Sequence, residues 1–507
     1  MSPGDEPPGL TGTVVRGVGF AGSGFLLARG ITFAAYIALA RLVTPTELGQ
    51  FTAGTIVVGF GILFAGSGMA AAVIHRRDRL DEAASTAVVA TVLAGVVLAL
   101  IAWAVSPLVG RFFGDSDTIA AVSAATAGAL FLGSARVIPN ALLQRRFSFL
   151  RRIVVEPAAA LAFGAGAIIA TSEGMGVWGL VVGLYASALT DFLLSWGLVS
   201  WRPQLRLVSF GMWRDLIPYA RHVLAGTVVR RLGNRIPIAA AGGFVGTSAL
   251  GQFQYANRIV STPFALLVSG VSYVVFPAFA RISHDSKRFD PAFLRSLRWT
   301  LLIAAPVGMT LFILGEPLTV LVFGERWREA GEATRALAAY VPAQMIAQMI
   351  GEAFKSTGVP PERTRVNIVG VLAGALAMAA LIPPFGLIGV ALGVSVNALA
   401  SAVTSLRRAH IAMGIQTRAM LGAVAPAVAA TAPILAVVLP LEMLVVDAAS
   451  RGTAAGLLLL MMEGLLGLAV YAATLRILSP GLGREIGTLV RAARGRPVPQ
   501  DPAASDA

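Results

Sequence analysis

The tetrapeptide LGQF occurs at Leu48–Phe51, within TELGQFTAGT, and again at Leu250–Phe253, within SALGQFQYAN, an offset of 202 residues. If the recurrence were chance, nothing else would line up at a similar distance. Other pairs do. PLVGRFFG (Pro107–Gly114) and PLTVLVFG (Pro317–Gly324) both read PL, four residues, FG, at an offset of 210. GVWGLVVGLYASAL (Gly176–Leu189) aligns with GLIGVALGVSVNAL (Gly386–Leu399) at the same 210, with Gly176, Gly179, Gly183, Ala188 and Leu189 all recurring. The change of offset predicts about eight extra residues between the first and second landmarks, and the loop around Arg281–Arg295 is indeed longer than the one around Arg76–Glu82. A chain that repeats itself over some 200 residues reads as a duplicated architecture.

The composition says where that architecture resides. The chain has 507 residues, 56% hydrophobic and 13% charged, with a mean hydropathy of +0.77, far more apolar surface than a water-soluble core can hide. It is expected to be an integral protein of the cytoplasmic membrane. In a soluble protein a net charge of +14 would suggest nucleic acid, but here basic residues serve as a topology signal against the anionic inner leaflet, so no nucleic-acid partner is inferred. With no cysteine, and with His75, His222, His284 and His410 scattered, neither a disulfide, a thiol nucleophile nor a metal site is expected, and no cofactor is implied. The first fifteen residues, MSPGDEPPGLTGTVV, carry acids and prolines where a secretory signal would be basic, so the first hydrophobic segment is expected to stay as an anchor.

A hydrocarbon core of about 30 Å needs roughly 20 apolar residues per helix. Fourteen spans are expected on that ruler, near 17–40, 50–74, 85–109, 118–143, 153–172, 176–200, 216–241, 249–280, 297–323, 332–354, 365–384, 387–406, 419–441 and 453–475; twelve is the alternative count. Starting with the N-terminus inside, the inner loops hold clusters such as Arg76, Arg77 and Arg79 or Arg145, Arg146, Arg151 and Arg152. The outer loops hold only Arg41, Arg111, Arg326, Arg328 and Arg451, each with an acid nearby. The alternation predicts both termini in the cytoplasm.

The expected fold is therefore an all-α polytopic membrane protein with two parallel six-helix lobes related by a pseudo-twofold axis along the membrane normal. Its divisions are a cytoplasmic N-terminal segment (1–14), an N-lobe (15–203), an interfacial linker (204–215) and a C-lobe (216–412). An extra helix pair (413–478) and an amphipathic segment with a disordered tail (479–507) follow. Parallel repeats of this kind place a transport site between the halves. The GxxxG pairs Gly179/Gly183 and Gly389/Gly393 are expected to bring helices close together. Two stretches read as interfacial, Gln204–Leu216 with Phe210 and Trp213, and Leu482–Ala493.

Charges at bilayer depth are costly and mark cavities or partners. They are mostly arginines: Arg29 in the first span, Arg230, Arg231 and Arg235 in the seventh, Arg258 in the eighth. At 100° per residue Arg231 and Arg235 share a face, with Arg230 and Asn234 on the adjacent one. Guanidinium matches phosphate and pyrophosphate through its planar fork and permanent charge, so an anionic or phosphate-bearing substrate is expected. Arg136 and Arg221 lie nearer the inner interface and either snorkel there or pair with an acid. Asp191 reads as an ion-coupling site or equally as a structural counter-ion, and Glu463 is the other acid at depth.

ARLVTPTELGQF (Ala40–Phe51), ALLQRRFSFLRR (Ala141–Arg152), SALGQFQYANRI (Ser248–Ile259) and VVFPAFARI (Val274–Ile282) resemble the polysaccharide transporter family. The likeness is to its lipopolysaccharide and teichuronic acid exporter branch, the Wzx-type flippases of the multidrug/oligosaccharidyl-lipid/polysaccharide superfamily. It runs from about residue 15 to 410, and its firmest element is A-R-L-x-x-P-x-E-L-G. The resemblance implies a transporter, not an enzyme, that moves polyprenyl-pyrophosphate-linked oligosaccharides between leaflets by alternating access. It implies a cavity lined by Arg29, Arg230, Arg231, Arg235, Tyr255 and Arg258, and partners among membrane lipids, a polysaccharide polymerase and glycosyltransferases. One departure stands out: where relatives often carry an acid in the seventh helix, this chain has Gly233 within RRLGNR.

A multidrug or cation antiporter of the same superfamily shares the two-lobed plan but wants acids in its cavity. Another secondary transporter for an anionic substrate, of the major-facilitator type, would show G-x-x-x-D-R-x-G-R-R between its second and third helices, which AAAVIHRRDRLDE does not meet. A membrane enzyme would need a sizeable exposed domain, and the loops are short.

Overall fold

The computed structural model describes residues 27–76, 78–114, 116–145 and 154–479, and within them all side chains except those of 63, 65, 67, 116, 222–232, 269, 270 and 272–274. Residues 1–26, the Leu482–Ala493 segment and the tail lie outside the described residues. Among the described residues every regular element is helical. Residues 27–42 form α1, followed by α2 (Pro45–Gly54), α3 (Ile56–His75) and α4 (Leu80–Phe112). Next come α5 (Ser116–Thr126), α6 (Ala129–Ala135), α7 (Val137–Arg145), α8 (Glu156–Ser172), α9 (Val177–Leu198), α10 (Phe210–Ala240) and α11 (Thr247–Ile282). The chain continues through α12 (Ser286–Phe323), α13 (Arg328–Ala336), α14 (Tyr340–Ser356), α15 (Pro361–Met413), α16 (Thr417–Ala429), α17 (Ala432–Leu441) and α18 (Thr453–Leu478). Seven helical stretches among the described residues are long and apolar enough to cross a membrane, beginning at Leu80, Asp117, Val177, Ser286, Pro361, Thr417 and Thr453.

The LGQF copies explain themselves at this level. α2 and α11 start at Pro45 and Thr247, the same 202-residue offset. The first start is a capping box: Thr44 Oγ1 accepts from the Glu47 amide at 3.2 Å, the Glu47 carboxylate accepts from the Thr44 amide at 2.7 Å, and Pro45 occupies the first helical position, satisfying backbone donors that the first turn leaves open. The glycine of each copy then serves one purpose. A Cβ on Gly49 would lie 1.8 Å from the Thr247 carbonyl oxygen, and a Cβ on Gly251 would lie 1.9 Å from that of Pro45. The contact is reciprocal, each repeat's glycine seating the first residue of the other's helix.

The second landmark pair is equally conformational. Gly176 (φ 54, ψ −127) and Gly386 (φ 53, ψ −121) share a backbone geometry that side chains disfavour. Gly176 is the N-cap residue just before α9; Gly386, just after Pro383 and Pro384, breaks α15 into two helices at the boundary expected between 365–384 and 387–406. The GxxxG glycines allow close approach: Gly179 and Gly183 bring α9 onto the Thr171 amide and the Phe163 carbonyl of α8, and Gly389 meets the Leu381 carbonyl across the break.

Packing divides the chain into two units. One comprises Met1–Ala256, Val322–Ala333 and Met378–Ala391; the other comprises Asn257–Leu321, Thr334–Ala377 and Leu392–Ala507. In the first, α3 packs against α10, α4 and α7. The linker is clamped to the start of α4: the Gln204 amide donates to Ser85 Oγ at 3.0 Å and the Ser209 amide to Thr86 Oγ1 at 3.2 Å. The core of the second centres on Phe279, Phe289, Phe293, Leu301, Ile350 and Phe354.

Candidate functional site

The cationic stretch of α10 runs along α3, and α3 is glycine-rich where they meet. Gly68 lies against the Ala220 carbonyl, and a Cβ on Gly59 would sit 2.4 Å from an Arg235 guanidinium nitrogen. Gly59 therefore makes room for that side chain, which also lies 5.9 Å over the Phe60 ring, a cation–π geometry that offsets part of the cost of a charge at depth. Asn234, beside it, is exposed. Arg230 and Arg231 fall within the helix, their side chains outside the described residues. α10 stays helical despite Pro218 and Pro237 and turns π-helical at Ala241–Val245.

The other expected residues take different places. Arg29 is exposed on α1. Tyr255 does not face an aqueous cavity: it is 1% exposed, its hydroxyl donates to the Tyr36 carbonyl at 2.8 Å, and its ring packs against Phe323 and Trp327 with centroids 4.8 and 4.0 Å away. The physical reason is that a tyrosine whose hydroxyl finds a backbone acceptor is a good core residue. Trp327 is anchored likewise, donating to the Ala40 carbonyl at 2.9 Å. Arg258 belongs to the second unit, half-buried.

Asp191 is ion-paired with Arg136, and Ser195 Oγ lies 3.0 Å from its carboxylate and 2.9 Å from Asn140 Oδ1. Of the two roles open to Asp191, the counter-ion geometry is present. The motif arginine Arg41 donates to the Val322 carbonyl at 3.4 Å, so A-R-L-x-x-P-x-E-L-G is an assembly motif: its arginine, proline, acid and glycine each hold backbone in place.

Two features escaped the sequence reading. Glu352, 2% exposed, accepts from Lys355 at 2.9 Å and from Gln348, with Arg363 at 3.5 Å; in the sequence only its i+3 spacing to Lys355 signals a pair. The Gln204–Leu216 stretch, read as lying on the membrane surface, forms a wall of an apolar groove of about 500 Å³ in which Phe210 and Trp213 face Phe64, Leu93 and Met69.

Comparison with known proteins fits this architecture. Residues 38–332 match the family model described as polysaccharide biosynthesis protein. The succinoglycan biosynthesis transport protein ExoT of Rhizobium meliloti (strain 1021) is 25% identical over 327 residues, 63% of this chain and 64% of that one. The teichuronic acid biosynthesis protein TuaB of Bacillus subtilis (strain 168) is 25% identical over 326 residues, 64% of this chain and 67% of that one. The match thus spans about two thirds of the length of these relatives. In fold the chain is similar to a lipid II flippase MurJ in an inward closed conformation, with a TM-score of 0.74, 16% identity, and coverage of 91% of this chain and 99% of that one. On the family match the chain belongs to the polysaccharide biosynthesis protein family, within the multidrug/oligosaccharidyl-lipid/polysaccharide superfamily, as a multi-pass protein of the cytoplasmic membrane.

Proposed function

We propose that the protein is a flippase that carries a polyprenyl-pyrophosphate-linked glycan across the cytoplasmic membrane by alternating access, with fourteen spans, two parallel six-helix lobes and both termini inside. The observation that carries this reading is the kinship with proteins named for succinoglycan transport and teichuronic acid biosynthesis. The arginines of α10 supply the chemistry. Arg230, Arg231 and Arg235, with Asn234 beside them, grip the pyrophosphate through charge-assisted hydrogen bonds; Arg29 and Arg258 contribute further positive charge, and the lipid tail stays in the bilayer. A glycan polymerase and glycosyltransferases are the expected partners.

The test is complementation of a strain lacking the gene. Arg230→Ala combined with Arg231→Ala is expected to abolish surface glycan while the protein remains in the membrane at its normal level. Unchanged export in that double variant refutes the assigned grip.

A further inference from the structure

Beyond the repeated frame, α17 and α18 pair at the end of the chain, and two acids meet between them. α17 stops after Pro440 and the chain widens into a π-helical turn, Glu442–Val446, that ends on Asp447 in a left-handed conformation (φ 41). A π-turn inside a helix re-aims side chains and recurs at functional sites. This one turns Glu442 inward, to 5% exposure, where its carboxylate accepts from the Ala448 amide at 3.1 and 3.3 Å. Facing it within hydrogen-bonding reach is Glu463 of α18, 3% exposed, whose two carboxyl oxygens find no N–H or hydroxyl donor. Leu460, Ile434, Val438 and Tyr471 belong to the surrounding apolar core.

Two acceptors in contact with no donor between them do not make a stable arrangement; a proton supplies the missing donor. We propose that Glu442 and Glu463 form a proton-binding site in which one proton is shared between the two carboxyl groups. The protonated Glu463 carboxyl donates to the Glu442 carboxylate, which the Ala448 amide also supports. A single negative charge is then buried instead of two, and burying an unpaired carboxylate is strongly unfavourable. Binding takes the proton from hydronium and leaves water; release reverses that, and no other bond changes.

The other charges nearby do not supply the missing donor. Asp447 adds negative charge. Arg335 of α13 acts on Glu442 at a distance and is itself ion-paired with Glu316 of α12 at 3.0 Å. Arg451 donates to the Val446 carbonyl at 3.0 Å, and the Tyr471 hydroxyl to that of Ala427 at 3.3 Å. A metal ion fits poorly, because the Ala448 N–H points at the carboxylate and no cluster of three metal-ligating side chains occurs among the described residues. The use of this proton to drive export rests on the flippase reading above; its presence at the site does not.

The experiment is infrared difference spectroscopy of the full chain in lipid nanodiscs across a pH series, for wild type, Glu463→Gln and Glu442→Gln, in sodium and in choline buffers. The expected result is a protonated-carboxyl band at neutral pH that either substitution removes and that disappears at alkaline pH as a proton is released per chain. A wild-type spectrum with no such band at neutral pH, or a band unchanged in both variants, overturns the proposal. So does a band that sodium removes at fixed pH, which would make this a cation site. If Glu463→Gln fails to fold, the wild-type titration and Glu442→Gln still decide. A chain that holds the proton yet exports no glycan refutes the flippase reading alone; one that exports without a protonated carboxyl refutes the site alone.

Discussion

Gly49→Ala is the most direct probe of the LGQF contact. The added methyl would sit 1.8 Å from the Thr247 oxygen and 2.7 Å from its carbonyl carbon, both backbone atoms. No rotamer relieves such a clash, so α2 and the start of α11 must part by roughly 1.5 Å or more to recover van der Waals separation. Overpacking of this kind costs ~1–3 kcal/mol, and the rigidity of the struck group puts the figure at the upper end, about 3 kcal/mol. If alternating access requires these helices to separate, the cost falls on the closed form and shifts the closed-to-open ratio by roughly 100-fold, at 1.4 kcal/mol per decade. Thr46 and Ser248 are exposed, repeat-equivalent and flank the contact, and the chain has no native cysteine. A spin-label pair at these positions therefore reads the separation by electron–electron distance measurement without background. Gly49→Ala is expected to lengthen the distribution. Because one displacement relieves both clashes, adding Gly251→Ala is expected to cost clearly less than the two single effects together. An unchanged distance and an unchanged melting temperature in Gly49→Ala would refute the close-contact argument.

Two further outcomes are expected. Asp191→Asn leaves Arg136 without its counter-charge, and because both side chains keep partial exposure (18% and 27%) the loss is ~1–2 kcal/mol, below that of a fully buried pair; adding Arg136→Gln is expected to restore both the melting temperature and export, and a stable double variant without export would assign Asp191 to ion coupling instead. Gly176→Ala and Gly386→Ala each force a side chain into the same disfavoured backbone region and are expected to lower stability by ~1–3 kcal/mol, by similar amounts, in thermal unfolding followed by size-exclusion recovery; a wild-type melting curve for either would count against the strain at that position.

The helical frame was largely legible because hydropathy and turn glycines are local signals. The expected spans are helical over most of their described residues, with turns at Thr55, Ala127–Gly128, Arg136, Leu337–Ala339 and Ala430–Thr431 interrupting four of them, and the break at Gly386 follows from a Pro-Pro-x-Gly sequence that is hard to pass through unbroken. Side-chain direction was less legible. Tyr255 sits three residues before Arg258 on one face of α11, so helical spacing grouped it with the charge, yet its hydroxyl is taken up by a carbonyl 219 residues away. Such a pairing has no trace in local pattern. The groove at Phe210 and Trp213 was hidden for a related reason: interfacial aromatics and aromatics lining a groove have the same composition, and only the packing of α3 and α4 against them separates the two.

The repeat itself sorts structure from chemistry. Where one steric demand arises twice, the chain answers it twice, with Gly49 and Gly251 or Gly176 and Gly386. The charged residues follow no such rule. Shifted back by 202 residues, Arg231 falls on Arg29, but Arg230 falls on Ala28, Asn234 on Thr32 and Arg235 on Phe33, whose ring packs edge-on to Phe323. Shifted forward by 210, Arg136 and Asp191 fall on Ile346 and Ser401, so the ion pair has no counterpart either. Glu442 and Glu463 lie past the end of the repeat altogether. A duplicated frame whose charges are largely single-copy suits the proposed role as transporter of an asymmetric molecule, in which a pyrophosphate group at one end of the carrier lipid needs one grip. Export should then tolerate conservative changes at Arg29 better than at Arg235, whose guanidinium already has a glycine-lined seat against α3. Arg235→Lys loses the planar fork that the seat accommodates, and equal export by Arg29→Lys and Arg235→Lys in the complementation assay would show that the asymmetry has no functional weight.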